Sequence, residues 1–282
     1  MLYEGYKLLE IRVDRGVLFA TINNPPMNIL NNELYGEFGK LADEVIKDDN
    51  VKVIIFDSAD PDYFIAHYDV NLLLKYPDEA PPKPTELHWG HQMQETYRTM
   101  PKISIAKIEG RVRGGGSEFC LALDMRFGAI GKAILGQVEV PLGIIPGGGG
   151  TQRLPRLIGR SRAMEIVVGG MDFPADIAER YGYINRALPP EELTPFVEEL
   201  AYRIASYPAE TIAIAKKAVL LALEKPIIEG LLEETHLFNL TCVSAVAKER
   251  MGLFIKMGGQ TREGELDILK VVDDYTKKLE EK

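Results

Sequence analysis

An α/β fold is what this chain of 282 residues predicts, and three observations carry the prediction. Short apolar runs rich in β-branched residues alternate with irregular loops and amphipathic helical stretches through the first two-thirds of the sequence. Glycine clusters at 114–116 and 147–150 sit where strand-like segments give way to helix-like ones. From Thr194 onward the strand-like runs stop and long amphipathic helices take over. With 46% hydrophobic residues the chain can bury a full core, as one large domain or one domain plus a smaller one.

Residues 8–13 and 17–22, separated by Asp14-Arg15-Gly16, read as a hairpin that ends in the turn Asn23-Asn24-Pro25-Pro26. Leu34, Phe38, Leu41 and Val45 have helical spacing, which predicts a helix over 32–47. A buried strand at 51–56 runs into 60–69, read as an irregular loop leading to a helix start. The stretch 76–84, with four prolines and three charges, has the composition of an exposed, mobile loop. The next helix, 86–100, carries Trp89, His88 and His91. His88, His91 and Glu95 could share a face, but no cysteine or further histidine nearby completes a ligand set, and no metal is expected.

Pro101-Lys102 ends that helix and starts a strand at 103–108. Short strands are predicted at 125–129 and 133–135, a helix at 152–168, a short helix at 174–181 and a last short strand at 184–187. The remaining helices are placed at 194–206, 209–223, 227–257 and 263 to the end. Over 227–257, Leu231, Leu232, Phe238, Leu240, Val243 and Val246 make a broad apolar face that needs a partner from this chain or another subunit.

A net charge of -9 with 27% charged residues disfavours nucleic acid or an acidic membrane as the main partner. The two cysteines, Cys120 and Cys242, lie in apolar helical patterns, so neither a disulfide framework nor a zinc cluster is indicated. The N-terminal stretch lacks an apolar targeting core, and no apolar run approaches the ~20 residues of a membrane span. A cytoplasmic protein is the expectation.

The chemistry concentrates where the run at 103–108 leads into Gly114-Gly115-Gly116, then Ser117, Glu118 and an apolar helix-like segment. Glycines let a backbone approach closely, and the first turn of a helix presents unpaired N–H groups, so the place suits a negative oxygen. No lysine follows as in a phosphate-binding loop, and Phe119 stands where a dinucleotide fingerprint or a nucleophile elbow needs glycine. A backbone anion hole with a nearby carboxylate remains, beside the plainer alternative of a glycine turn packing a helix on a sheet. Glu139 is a lone carboxylate among apolar residues ahead of the second glycine cluster. Buried there it needs a partner or a task; otherwise it turns outward on a loop.

Four ordered motifs, at 21–28, 64–69, 110–124 and 136–154, resemble those of the crotonase, or enoyl-CoA hydratase/isomerase, superfamily, and the C-terminal helices fit in number and length. The resemblance implies a spiral of repeated strand-strand-helix units over 1–206, holding an acyl-CoA site. It further implies a helical segment, 207–282, making trimer contacts, often in a dimer of trimers. By motif position the backbone N–H groups of Ala66 and Gly115 would form an oxyanion hole for a thioester enolate. Glu118 and Glu139 would be the catalytic pair, and keeping both favours an acyl-CoA lyase that hydrates a 2-enoyl-CoA. Double-bond isomerase, decarboxylase or thioester hydrolase chemistry, or a non-catalytic CoA-binding role, are the alternatives within the fold.

The same correspondence places Ala66, His67, Tyr68, Asp69, Arg113, Gly114, Gly116 and Gly147 against the substrate. It implies no cofactor beyond the coenzyme A of the thioester, and as partners an acyl-CoA and copies of the same chain, with no nucleic acid and no membrane. Two positions depart from the family pattern. His67 stands where glycine is usual, either entering the site or packing beside it, and Arg113 replaces an apolar residue, where it could pair with Glu118 or bind a substrate carboxylate.

Overall fold

The hairpin comes first. In the computed structural model, which describes residues 2–280, β1 (Leu9–Asp14) pairs antiparallel with β2 (Val17–Ile22). The rest of the order is α1 (Asn32–Lys47), β3 (Val53–Ser58), β4 (Tyr63–Ile65), α2 (Val70–Leu73), α3 (Trp89–Thr99), β5 (Ile103–Ile108), β6 (Arg111–Arg113) and α4 (Gly115–Ala122). After these come β7 (Met125–Ala129), β8 (Ile134–Gly136), a single 3-10 turn (Val140–Leu142), α5 (Gly150–Ile158), α6 (Arg160–Gly169), β9 (Phe173–Pro174), α7 (Ala175–Tyr181), β10 (Arg186–Leu188) and α8 (Pro190–Ala205). The C-terminal helices are α9 (Ala209–Leu221), α10 (Ile227–Cys242), α11 (Ala245–Lys256), α12 (Arg262–Leu266) and α13 (Ile268–Glu280).

The strands form two sheets. One has the order β1-β2-β3-β5-β7-β10, parallel apart from the opening hairpin, and the other the order β4-β6-β8-β9. Successive strands therefore alternate between sheets: β3 then β4, β5 then β6, β7 then β8, each pair followed by helix or turn. That alternation is the strand-strand-helix spiral. β2, β3 and β5 read as almost continuous apolar runs because helices cover parallel sheets. Their core side chains pack with α1 and α4 around Phe38, Phe56, Tyr97 and Phe119, with Phe38 and Phe119 stacked at 4.2 Å.

The chain divides into two compact units, Met1–Tyr202 and Arg203–Lys282. Within the second, Arg203 pairs with Asp273 and Arg250 donates to the Ser206 carbonyl. Leu232, Phe238 and Val243 are exposed at 69%, 63% and 68%, so the apolar face read from the sequence is present.

Several boundaries differ from the sequence reading, each for a local reason. The helix expected at 86–100 starts at Trp89, because His88 is extended and its Nδ1 accepts the Gly90 N–H as a cap. The segment 152–168 is broken at Gly159, whose φ of +80° closes α5 before α6 begins. The stretch 227–257 is also two helices, since Ser244 is extended and its side chain accepts from Ala247 N to cap α11. The final helix is two pieces, α12 and α13, and positions 281–282 of the expected helix lie outside the described residues. β4, β6 and β9, three, three and two residues long, were not expected at all. Among the described residues no helix is long and apolar enough to cross a membrane.

Candidate active site

β6 delivers the triple glycine. Gly114 donates its N–H to the Gly136 carbonyl at 3.0 Å, continuing the ladder with β8, and then turns with φ +49° and ψ -126°, where a side chain would be strained. α4 starts one residue later, so the Gly115 N–H is among those a helix leaves without an intrahelical acceptor. Close approach explains the other glycines. A Cβ on Gly116 would lie 2.6 Å from Ile65 Cγ2 and 2.9 Å from the Ile65 carbonyl oxygen. The Ile65–Ala66 peptide is thus pressed against the start of α4.

The loop from Ala66 to Asp69 is held in place by Leu30, which donates its N–H to the His67 carbonyl and accepts the Asp69 N–H, at 2.9 and 3.1 Å. Ala66 is buried. His67 donates from Nδ1 to the Tyr68 carbonyl at 2.8 Å, which fixes its tautomer. Tyr68 packs edge-on against Tyr35, and its Cβ lies 3.0 Å from where Gly115 would carry one. Asp69 caps α2 by accepting the Asn71 N–H at 2.9 Å.

Glu118, in the first turn of α4, is 3% exposed. Its Oε1 accepts the N–H groups of Gly148 and Gly150, both at 2.8 Å, so the second glycine cluster and the start of α5 form its cradle. A Cβ on Gly148 would stand 2.5 Å from Oε2. Burial pushes the Glu118 carboxyl up, against those N–H groups and the Arg153 charge. Arg153 braces the cradle by donating to the Gly148 carbonyl at 3.0 Å, to Gln94 and to Glu95. Although burial works the other way, hydrogen bonds from Arg98 and Arg153 hold Glu95 below its ordinary carboxylate value. His91 donates from Nε2 to the Gly147 carbonyl at 2.8 Å. His88, His91 and Glu95 are each engaged separately.

Glu139 precedes the 3-10 turn and is 8% exposed, with Oε1 2.7 Å from where a Gly114 Cβ would be. Burial first, and then the charge of Glu118, push its carboxyl up to about 7. The outward-turned alternative is thereby excluded. The folded state keeps this proton more tightly than the unfolded chain, whose value is near 4.5, so the associated stability is full below that pH and lost as pH rises through about 7. Glu139→Gln is expected to gain up to about 3 kcal/mol over wild type at about pH 8 and little at about pH 4, read by denaturant unfolding at both.

Arg113 is not paired with Glu118. Its Nε and one terminal nitrogen reach Asp172 in a bidentate pair at 2.7 and 2.6 Å, fixing β6 to the segment before β9. Asp172 lies 59 residues away, and nothing in the sequence marks the pairing. Arg113→Met is expected to cost under about 1 kcal/mol and to leave the titration of both glutamates in place, checked by pH-dependent unfolding. The sequence reading also missed the Gly148 and Gly150 donors, although a glycine cluster opening a helix is itself a signal of free N–H groups.

The class is that of spiral α/β folds, here with two buried carboxylates beside a glycine-built backbone cradle. Comparison with known proteins gives the family. The sequence model of the enoyl-CoA hydratase/isomerase family matches residues 12–258. The chain is 32% identical to the crotonyl-CoA hydratase of Syntrophomonas wolfei over 257 residues, covering 91% of this chain and 96% of that one. It is 31% identical to the short-chain-enoyl-CoA hydratase of Clostridium acetobutylicum over 241 residues, covering 85% and 91%. The crystal structure of the Bacillus anthracis enoyl-CoA hydratase superposes with a TM-score of 0.80 at 27% identity, covering 89% and 96%. The chain belongs to the enoyl-CoA hydratase/isomerase, or crotonase, family.

Proposed function

We propose that this protein hydrates the double bond of a 2-enoyl-CoA. The observation that carries the reading is the pair of buried carboxylates, Glu118 and Glu139, close enough for one charge to raise the other's pKa and both set beside Gly114–Gly116. The backbone N–H groups of Ala66 and Gly115 stabilise the thioester oxygen as it gains charge, each worth ~10² in rate. Glu118, with Oε1 held by two N–H groups, takes a proton from water through Oε2 as the water oxygen bonds to the β carbon. Glu139, titrating near neutrality, gives a proton to the α carbon as the enolate collapses. The proton on Glu118 then returns to Glu139 through the product site, and the pair is reset. No group beyond the coenzyme A of the substrate enters these steps.

Incubation with crotonyl-CoA in ¹⁸O-water tests this. The reading expects 3-hydroxyacyl-CoA with one labelled oxygen; free CoA thiol signals a hydrolase, carbon dioxide released only from a malonyl-type thioester tried in parallel a decarboxylase, and a shifted double bond on 3-enoyl substrates alone an isomerase. The exposed apolar side chains of α10 and α11 support a homo-oligomer, as a trimer or a dimer of trimers.

A further inference from the structure

Near Glu118 stands a phenol that the hydration steps do not use. Tyr35, on α1, is 6% exposed, and its hydroxyl oxygen accepts a hydrogen bond from Gln94 Nε2 at 3.0 Å. Gln94, on α3, is fully buried, and its Oε1 accepts from Arg153 at 2.7 Å. A guanidinium only donates, so the amide oxygen of Gln94 must face Arg153 and its nitrogen must face Tyr35. The direction of the bond is therefore fixed. Tyr35 receives a hydrogen from Gln94, and its own hydrogen has to go elsewhere. Among the described residues it meets no acceptor. A buried donor left without one is costly, which points to an acceptor that the chain itself does not supply.

The surroundings of the ring say what that acceptor is. On one side Tyr35 lies edge-on to Tyr68, with centroids 6.1 Å apart, and Tyr68 Cβ stands 3.0 Å from where Gly115 would carry one. On the other, Gln94 links the hydroxyl to Arg153, which donates to the Gly148 carbonyl at 3.0 Å, while the Gly148 N–H holds Glu118 Oε1 at 2.8 Å. The phenol thus lies between the proposed oxyanion donor and the cradle of Glu118. Burial first, and then the charge of Glu118, push the phenol up, so it stays a neutral donor within electrostatic reach of that carboxylate. Glu118 Oε1 is taken by two N–H groups, whereas Oε2 has no protein donor among the described residues. A donor and an acceptor that are neighbours but not bonded to each other are the two partners a bridging water takes.

We propose that Tyr35 is a further catalytic residue, whose phenolic O–H donates to the water that Glu118 Oε2 deprotonates. One lone pair of the water accepts from Tyr35, and the other forms the bond to the β carbon. As it does so one O–H bond of the water breaks, its proton passing to Glu118 and its electron pair staying on oxygen, and the second hydrogen remains in the new hydroxyl. The phenol keeps its own proton throughout. Its contribution is orientation: with Tyr35 and Glu118 both engaged, the lone pair that remains has one direction to point.

The proposal deepens the hydratase reading and rests on it only for what becomes of the water. A high-resolution crystal structure of the wild type is expected to show a water within hydrogen-bond distance of both the Tyr35 hydroxyl and Glu118 Oε2. Tyr35→Phe, whose ring keeps its edge contacts with Tyr68 and Trp89, is expected to lose it. In turnover, Tyr35→Phe should lower kcat for 2-enoyl-CoA hydration about tenfold with KM unchanged. Exchange of the α hydrogens of butyryl-CoA with deuterated solvent uses the oxyanion hole and Glu139 but no attacking water, and it should stay within about twofold of wild type. A wild type without that water, or a Tyr35→Phe variant that loses hydration and exchange alike, or neither, would overturn the role of Tyr35. A wild type that holds the water yet leaves crotonyl-CoA unhydrated would contradict the hydratase reading, and the catalytic use of the water with it, while upholding the water site between Tyr35 and Glu118.

Discussion

Glu139→Gln is expected to lower kcat on a 2-enoyl-CoA by ~10² or more, with KM changed only a few-fold. The substitution keeps volume and polarity but leaves nothing to deliver a proton to the α carbon. The fold should not suffer, because burial opposes ionisation of the removed carboxyl and pushes it up to about 7. Loss of rate alongside a gain of stability at alkaline pH is the signature of a group placed for chemistry at some expense of stability. Stopped-flow turnover and denaturant unfolding on one preparation read both.

Gly116→Ala is the second large effect. Its new Cβ would fall 2.6 Å from Ile65 Cγ2 and 2.9 Å from the Ile65 carbonyl oxygen, and Ile65 is fully buried on β4. Neither side can yield without moving the Ile65–Ala66 peptide or the first turn of α4. Overpacking of this kind costs about 1–3 kcal/mol, and here it also parts the two N–H groups proposed for the thioester oxygen. The rate is expected to fall by ~10² or more, and an enolate-mimicking CoA ester should weaken by more than CoA itself. Equal weakening of both would place the effect on binding rather than on the oxyanion hole.

The sequence made the fold legible wherever a rule is local. The period of Leu34, Phe38, Leu41 and Val45 marked α1, and the β-branched run at 103–108 marked β5. Three short strands were not read, since β4, β6 and β9 owe their existence to partners in the second sheet rather than to their own three, three and two residues. Long helical stretches were read as continuous because their period carries across Gly159 and Ser244, where a left-handed glycine and a serine cap break them.

At the site, glycine clusters and a carboxylate in an apolar stretch pointed to the right segments, because each breaks a local expectation. What those groups touch was not readable. Arg113 finds Asp172 and not Glu118, and Glu118 finds the N–H groups of Gly148 and Gly150, through contacts set by the crossing of the two sheets. The buried hydrogen bond between Ser117 and Tyr183 likewise joins residues 66 apart in sequence.

The most direct test of the two-glutamate hydration is a spectrophotometric assay of enoyl absorbance on crotonyl-CoA and longer 2-enoyl-CoAs, run with wild type, Glu118→Gln and Glu139→Gln. The account predicts that wild type consumes the absorbance and that each variant, folded and still binding CoA thioester, is slower by ~10² or more. Wild type that binds the thioester yet leaves the absorbance unchanged, or a Glu118→Gln variant that keeps full rate, would contradict it.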